Sequence, residues 1–227
     1  DSHFSRNFAK TLVTILPDEI SYDEAFKLAE EGYQKYGDSV TALMEWGYKR
    51  GINGQDLREK FFPLYHKNLF SHFVKVAPHV FNTRSPLTEA FSLTDGIVRN
   101  GIATHGCAEN FTRPLLPSMQ LTPYVEEGAI FGLADSGYLK KSTHTDLVAK
   151  CLDALGATEG ESAYTEDTAN NLRIHKEMMP QLTTIFINNG RPLERKPSFI
   201  DYEFESFQDY LTALYVAHSE PRKLILT

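Results

Sequence analysis

Three short segments of this chain hold residue types that could handle a phosphoryl group. The most specific is Tyr164-Thr165-Glu166-Asp167-Thr168-Ala169-Asn170-Asn171-Leu172, where an apolar run passes straight into two adjacent acids and then into a helical pattern. Carboxylates at a strand end suit a hard cation, since Mg²⁺ takes one or two carboxylate oxygens and completes its octahedron with waters and substrate phosphate. The competing reading is that Asp167 or Thr168 caps the helix opening near Asn170. Local sequence weighs the two equally.

The second segment is Gly101-Ile102-Ala103-Thr104, a short apolar run ending at His105-Gly106-Cys107. A hydroxyl at Thr104, with exposed backbone N–H groups around Gly106, could hold a phosphoryl oxygen. On its own such a residue is more often part of a turn. The third is Lys140-Lys141, ahead of the pattern containing Leu147 and Cys151. A lysine there could neutralise a transferring phosphoryl group, although a lone pair of lysines reads as a solvated surface.

These segments need elements to position them. From Tyr22 to about Lys75 apolar residues recur near a 3.6 period, with Ser21 and Glu24 at capping-box spacing and Asn53 opening a further helix through Leu57, Phe61 and Phe62. Beyond Pro86 the pattern alternates. Helices are predicted over Leu87–Leu93, Asp146–Leu155, Asn170–Met179 and Phe207–Val216, and strands over Gly101–Thr104, Ile130–Gly132, Ser162–Thr165 and Thr183–Ile187. Strands separated by helices imply an α/β class, a Rossmann-like parallel sheet flanked by helices. In such sheets ligands gather at the carboxyl ends of strands, just after Ala103, Thr165 and Ile187.

Composition narrows the partners. A formal net charge of -7 argues against a nucleic acid held by phosphate contacts, which needs a basic surface. No apolar stretch approaches the roughly 18 residues of a membrane span, and no basic-then-apolar leader is visible, so a cytoplasmic location is the default expectation. Cys107 and Cys151 are too few for a disulfide framework. His66, His72 and His79 lack ligand spacing. The aromatic stretch from Phe61 to Phe73 reads as packing rather than a base-stacking wall, and Arg191 and Arg195 read as solvated. Asp201 has no special claim.

The order of the three segments carries more than any one of them. A hydroxyl after one strand, a lysine before a helix and an acidic pair after the next strand resemble motifs II, III and IV of the haloacid dehalogenase superfamily, closest to its pyrimidine 5′-nucleotidase-like branch. Glu166-Asp167-Thr168-Ala169-Asn170-Asn171 looks like that branch's acidic pair, polar spacer and asparagine, and Tyr33-Gln34-Lys35-Tyr36-Gly37 with Val40 to Trp46 looks like its cap. The resemblance implies a core of residues 1–15 and 84–227, with a helical cap of 16–83 inserted after the first motif. It implies Mg²⁺-dependent hydrolysis of a small phosphomonoester, a nucleoside monophosphate being one candidate, through an aspartyl-phosphate. Thr104 and Lys141 are then catalytic, with Lys140 the alternative lysine; His105, Gly106 and Lys140 face the substrate; Asp1, Glu166 and Asp167 hold the metal.

The first motif departs from the family. That motif places a nucleophilic Asp after an apolar strand with an acid/base Asp two residues on, whereas the chain opens on Asp1-Ser2-His3-Phe4-Ser5. If Asp1 is the nucleophile, His3 stands for the second Asp. If Asp1 is the second Asp, the first strand lies upstream, which is favoured because a parallel core without its central strand would leave backbone groups unpaired. His105, Ser142 and Glu166 also differ from the family's usual residues. The alternative is a catalytically silent member serving as a binding or regulatory module.

Overall fold

The computed structural model describes residues 2–36, 39–76, 85–137 and 146–219. The chain forms two compact units, one of Asp1–Pro78 with Gly106–Leu115 and one of His79–His105 with Leu116–Thr227.

The first unit is helical: α1 (Ser2–Ile15), α2 (Tyr22–Tyr36), α3 (Ser39–Lys49), α4 (Gly54–Val76) and a π-helical turn at Ala108–Thr112. The predicted capping box closes the start of α2, with the Ser21 N–H donating to Glu24 Oε2 at 3.0 Å and the Glu24 N–H to Ser21 Oγ at 3.3 Å. Asn53 Oδ1 accepts from the Gln55 N–H at 2.8 Å and so starts α4. The aromatic stretch of α4 is core: Phe61 is fully buried, its ring 4.9 Å from Phe8 and 5.3 Å from Tyr65. Pro63 sits inside this helix, where it removes one backbone donor.

Helix α1 changes the expected division of the chain. Residues 1–15 were assigned by sequence to the α/β core, yet α1 groups with the helical unit and packs on α2 and α4. The reason is its buried stripe. Ser5, Phe8, Ala9 and Leu12 recur at i, i+3, i+4 and i+7, a spacing that places them on one face. Polar bonds tie the same helix down: Asn7 Nδ2 donates to the Tyr65 carbonyl at 3.0 Å, Asn68 Nδ2 to Thr11 Oγ1 at 3.3 Å, and Ser5 to Glu30.

The second unit is α/β. Its elements are α5 (Pro86–Leu93), β1 (Ile102–Ala103), β2 (Ile130–Phe131), α6 (Asp146–Leu155), β3 (Ala163–Glu166), α7 (Ala169–Met178), β4 (Thr183–Ile187), β5 (Tyr202–Phe204) and α8 (Phe207–Ser219). Among the described residues every pairing is parallel. One sheet has two strands, with Ile102 opposite Ile130, and the other has the order β3-β4-β5, with Glu166 opposite Phe186 and Ile187 opposite Phe204. The strand β5 falls within a stretch to which the sequence assigned no element. Parallel strands joined by helices put their carboxyl ends on one edge.

The core beneath that edge is Val148, Tyr164, Leu172, Met179, Leu182, Phe186 and Ile200, with Ala103 of β1 packed against it. Helix α6 ends where predicted: Gly156 adopts φ +61°, the Ala157 N–H reaches the Leu152 carbonyl at 3.0 Å and the Gly156 N–H reaches Asp153 at 3.0 Å, the paired bonds of a Schellman ending. Gly101 lies so close to the chain before β2 that an added Cβ would sit 3.0 Å from the Ala129 carbonyl. Among the described residues no helix is long and apolar enough to cross a membrane.

Candidate functional site

Strand β3 delivers the acidic corner. Tyr164 and Glu166 lie two residues apart and so share one face of the strand, while Thr165 and Asp167 alternate with them. Tyr164 is core, its ring 4.7 Å from that of His175, and its hydroxyl donates to Glu166 Oε2 at 2.7 Å. The N-cap of α7 is Thr168, whose side chain makes no capping bond. Its hydroxyl instead approaches Asp167 Oδ1 at 3.4 Å. Neither residue offered by the capping alternative therefore caps the helix with its side chain.

The carboxyls of Glu166 and Asp167 meet. Burial, a hydrogen bond with Glu166 and repulsion from its charge hold the Asp167 pKa above the ordinary carboxylate value, against smaller opposing bonds from its own backbone and Thr168. Two adjacent acids competing for one proton resemble a site that a cation would relieve. Burial and the neighbouring Glu166 also raise the Tyr164 phenol, which stays protonated as a donor.

The corner opens into a shallow, solvent-open cavity of about 280 Å³ lined by Thr165, Glu166, Asp167, Ile187, Asn189 and Phe207. All six sit at or just beyond the carboxyl ends of β3, β4 and β5. Asn189 takes a left-handed backbone at φ +51°. That turn is built by Asn188, whose Oδ1 accepts from the Gly190 N–H at 2.9 Å while its Nδ2 donates to Glu203 Oε1 at 2.8 Å. The sequence pointed to the residues just after Ile187 without singling out Asn189, and Phe207 stood there only as the start of a helix. An Asn-Gly pair directly after a buried strand was the available signal for the first; Phe207 arrives by tertiary packing and had none.

The other predicted residues divide. Thr104 and His105 follow β1 in the same unit, but neither lines the cavity. The Thr104 N–H donates to the Phe131 carbonyl at 3.0 Å, so that amide is spent on the β1–β2 ladder rather than on an anion. Thr104 is half-buried and His105 exposed, while Gly106 is buried and belongs to the helical unit. Asp1, Lys140 and Lys141 lie outside the described residues.

Glu166 and Asp167 would fit Mg²⁺, since two carboxylates are the protein donors that ion commonly takes, waters and phosphate supplying the rest. Among the described residues no group of three or more His, Cys, Asp or Glu side chains gathers around one point.

Asp201 is a structural carboxylate at the other end of β4. Its Oδ2 accepts from Lys176 Nζ at 2.8 Å, the Thr184 N–H at 2.8 Å and Thr184 Oγ1 at 3.0 Å. Burial pushes its pKa up, but these donors outweigh burial and the net shift is downward. No protein-family model matches this chain, and no curated protein matches it.

Proposed function

We propose that the chain is a Mg²⁺-dependent phosphohydrolase of the haloacid dehalogenase type, acting on a small phosphomonoester through an aspartyl-phosphate. The observation that carries this reading is the Glu166–Asp167 pair, two mutually repelling carboxyls at the carboxyl edge of parallel strands, open to a cavity of about 280 Å³. A parallel α/β unit with Thr104 after an earlier strand of the same unit is what the motif order leads one to expect. Helices α2, α3 and α4 fall in the stretch 16–83 that the resemblance gives to the family's inserted cap, while α1 and Gly106–Leu115, given by it to the core, also belong to the helical unit.

In this reading Glu166 and Asp167 hold the cation, which would draw charge from the phosphoryl oxygens. The resemblance gives Thr104, which does not line the cavity, the phosphoryl-binding hydroxyl, and Lys141 or its neighbour Lys140 the charge that balances the phosphoryl group. The nucleophile is an aspartate of the first motif, for which Asp1 is the candidate within this sequence. It attacks phosphorus, the alcohol leaves with a proton, and water then cleaves the acyl phosphate to free phosphate and the carboxylate.

The test is phosphate release by the full chain from a panel of monophosphates, nucleoside monophosphates included, with and without Mg²⁺. Turnover that disappears on chelation supports the proposal. Absence of turnover across the panel with Mg²⁺ present sinks the enzymatic reading, and Mg²⁺ binding without turnover then favours the silent module.

A further inference from the structure

Glu166 brings its carboxylate to the corner on a longer side chain than an aspartate would, and that extra methylene adds a torsion to be fixed before the group can serve a cation. The structure contains a device for fixing it. Tyr164 stands on the same face of β3, two residues earlier, and donates from its hydroxyl to Glu166 Oε2 at 2.7 Å. Its ring is not free to follow the glutamate: it is buried with Val148, Leu172 and Leu182 and lies 4.7 Å from the His175 ring. A donor on an immobile ring selects one rotamer of a flexible partner. Glu166 is thereby clamped between the Tyr164 hydroxyl and the carboxyl of Asp167.

We infer that Tyr164 is the positioning residue of the acidic corner, holding Glu166 in the conformer that presents its carboxylate, beside that of Asp167, to a divalent cation. The inference rests on the reading of the corner as a cation site. It assigns Tyr164 no contact with substrate. It also accounts for a glutamate where the resemblance leads one to expect an aspartate, because an aspartate's carboxylate would stop a methylene short of the phenol.

A buried tyrosine always needs some partner for its hydroxyl, so the experiment must separate positioning from mere satisfaction of a polar group. Mn²⁺ binding, followed by loss of the free-ion EPR signal, is measured on the full chain for the parent, Tyr164→Phe, Glu166→Asp and the double variant, with Asp167→Asn as the control that removes a ligand. Phenylalanine keeps the ring and its packing, and metal-free thermal melts confirm the fold. The expected result is about a tenfold weaker Mn²⁺ affinity on Tyr164→Phe when Glu166 is present. In the Glu166→Asp background, where no contact can form, the same change should alter affinity less than twofold. Equal affinity of parent and Tyr164→Phe overturns the inference, as does the same loss in both backgrounds. A parent that binds Mn²⁺ through Asp167 but ignores Tyr164 removes only the positioning role; a parent that binds none removes the cation site, and the role with it.

Discussion

The two units differ in the ionisable side chains whose pKa values their surroundings shift. In the helical unit the buried His66 and Asn7 are neutral and bonded to backbone: His66 Nδ1 lies 3.0 Å from the Phe62 carbonyl, and Asn7 donates to the Tyr65 carbonyl. Burial pushes the His66 pKa down to about 4, a bond to Phe62 resisting only in part, so the imidazole is uncharged at neutral pH. In the α/β unit two carboxyls beside the three-stranded sheet, Asp201 half-buried and Asp167 exposed, are of two kinds. Asp201 meets a cation and two donors from Thr184, and its pKa falls. Asp167 meets another acid, and its pKa rises. In the proposed reading, the contrast separates a carboxylate that holds the fold from carboxylates that would hold a cation.

The largest effect should come from breaking the second kind. Asp167→Asn is expected to lower Mg²⁺-dependent phosphate release on the order of 10²–10³-fold, read as kcat/KM at saturating Mg²⁺. An effect under tenfold would place Asp167 among the structural carboxyls.

Next is the helical unit's dependence on pH. The folded His66 pKa lies below its ordinary value, so the unfolded chain binds the proton first. Stability is then full above the ordinary value near 6.5, falls as pH drops toward about 4 and levels off below that. Over that window the loss should reach about 3 kcal/mol, and His66→Leu should flatten this part of a urea-melt profile. A profile unchanged by the substitution would mean that His66 is protonated without disruption.

Asp201→Asn should cost about 2 kcal/mol at neutral pH by weakening charge-assisted bonds. Because the folded pKa of Asp201 is depressed, its stabilisation is present above the ordinary carboxylate value and is lost as pH falls through the folded value. The cost of the substitution should therefore shrink in acid. A cost that stays constant would assign it to shape rather than charge.

The smallest effect has the opposite sign. The folded Asp167 pKa is raised, so the fold gains stability as pH falls through that value toward the ordinary one. Metal-free Asp167→Asn should be more stable than the parent at neutral pH, with the advantage vanishing in acid. A less stable variant would show that Asp167 supports the fold.

Much of the α/β unit was legible because buried parallel strands write themselves as apolar runs: the runs ending at Thr104, Thr165 and Ile187 are strands, with edges shifted by a residue or two. The acidic pair was legible because it follows such a run directly. Helix α1 was not. Its stripe of Ser5, Phe8, Ala9 and Leu12 contains two small residues, and the resemblance drew attention to Asp1 as part of a motif. Strand β5 is three residues long, too short for alternation to register. The Tyr164–Glu166 contact sits at a two-residue spacing that strand geometry makes a same-face pair, but which face met the core emerged only from packing. Phe207 reaches the cavity from the first turn of α8, a juxtaposition no local pattern encodes.

The most direct measurement is paramagnetic broadening of backbone amide signals as Mn²⁺ is added to the full chain. If the acidic corner is the cation site, the signals of Glu166, Asp167, Thr168 and Asn189 broaden first, and Asp167→Asn prevents it. Broadening that begins at other carboxylates, or at none, would contradict the account.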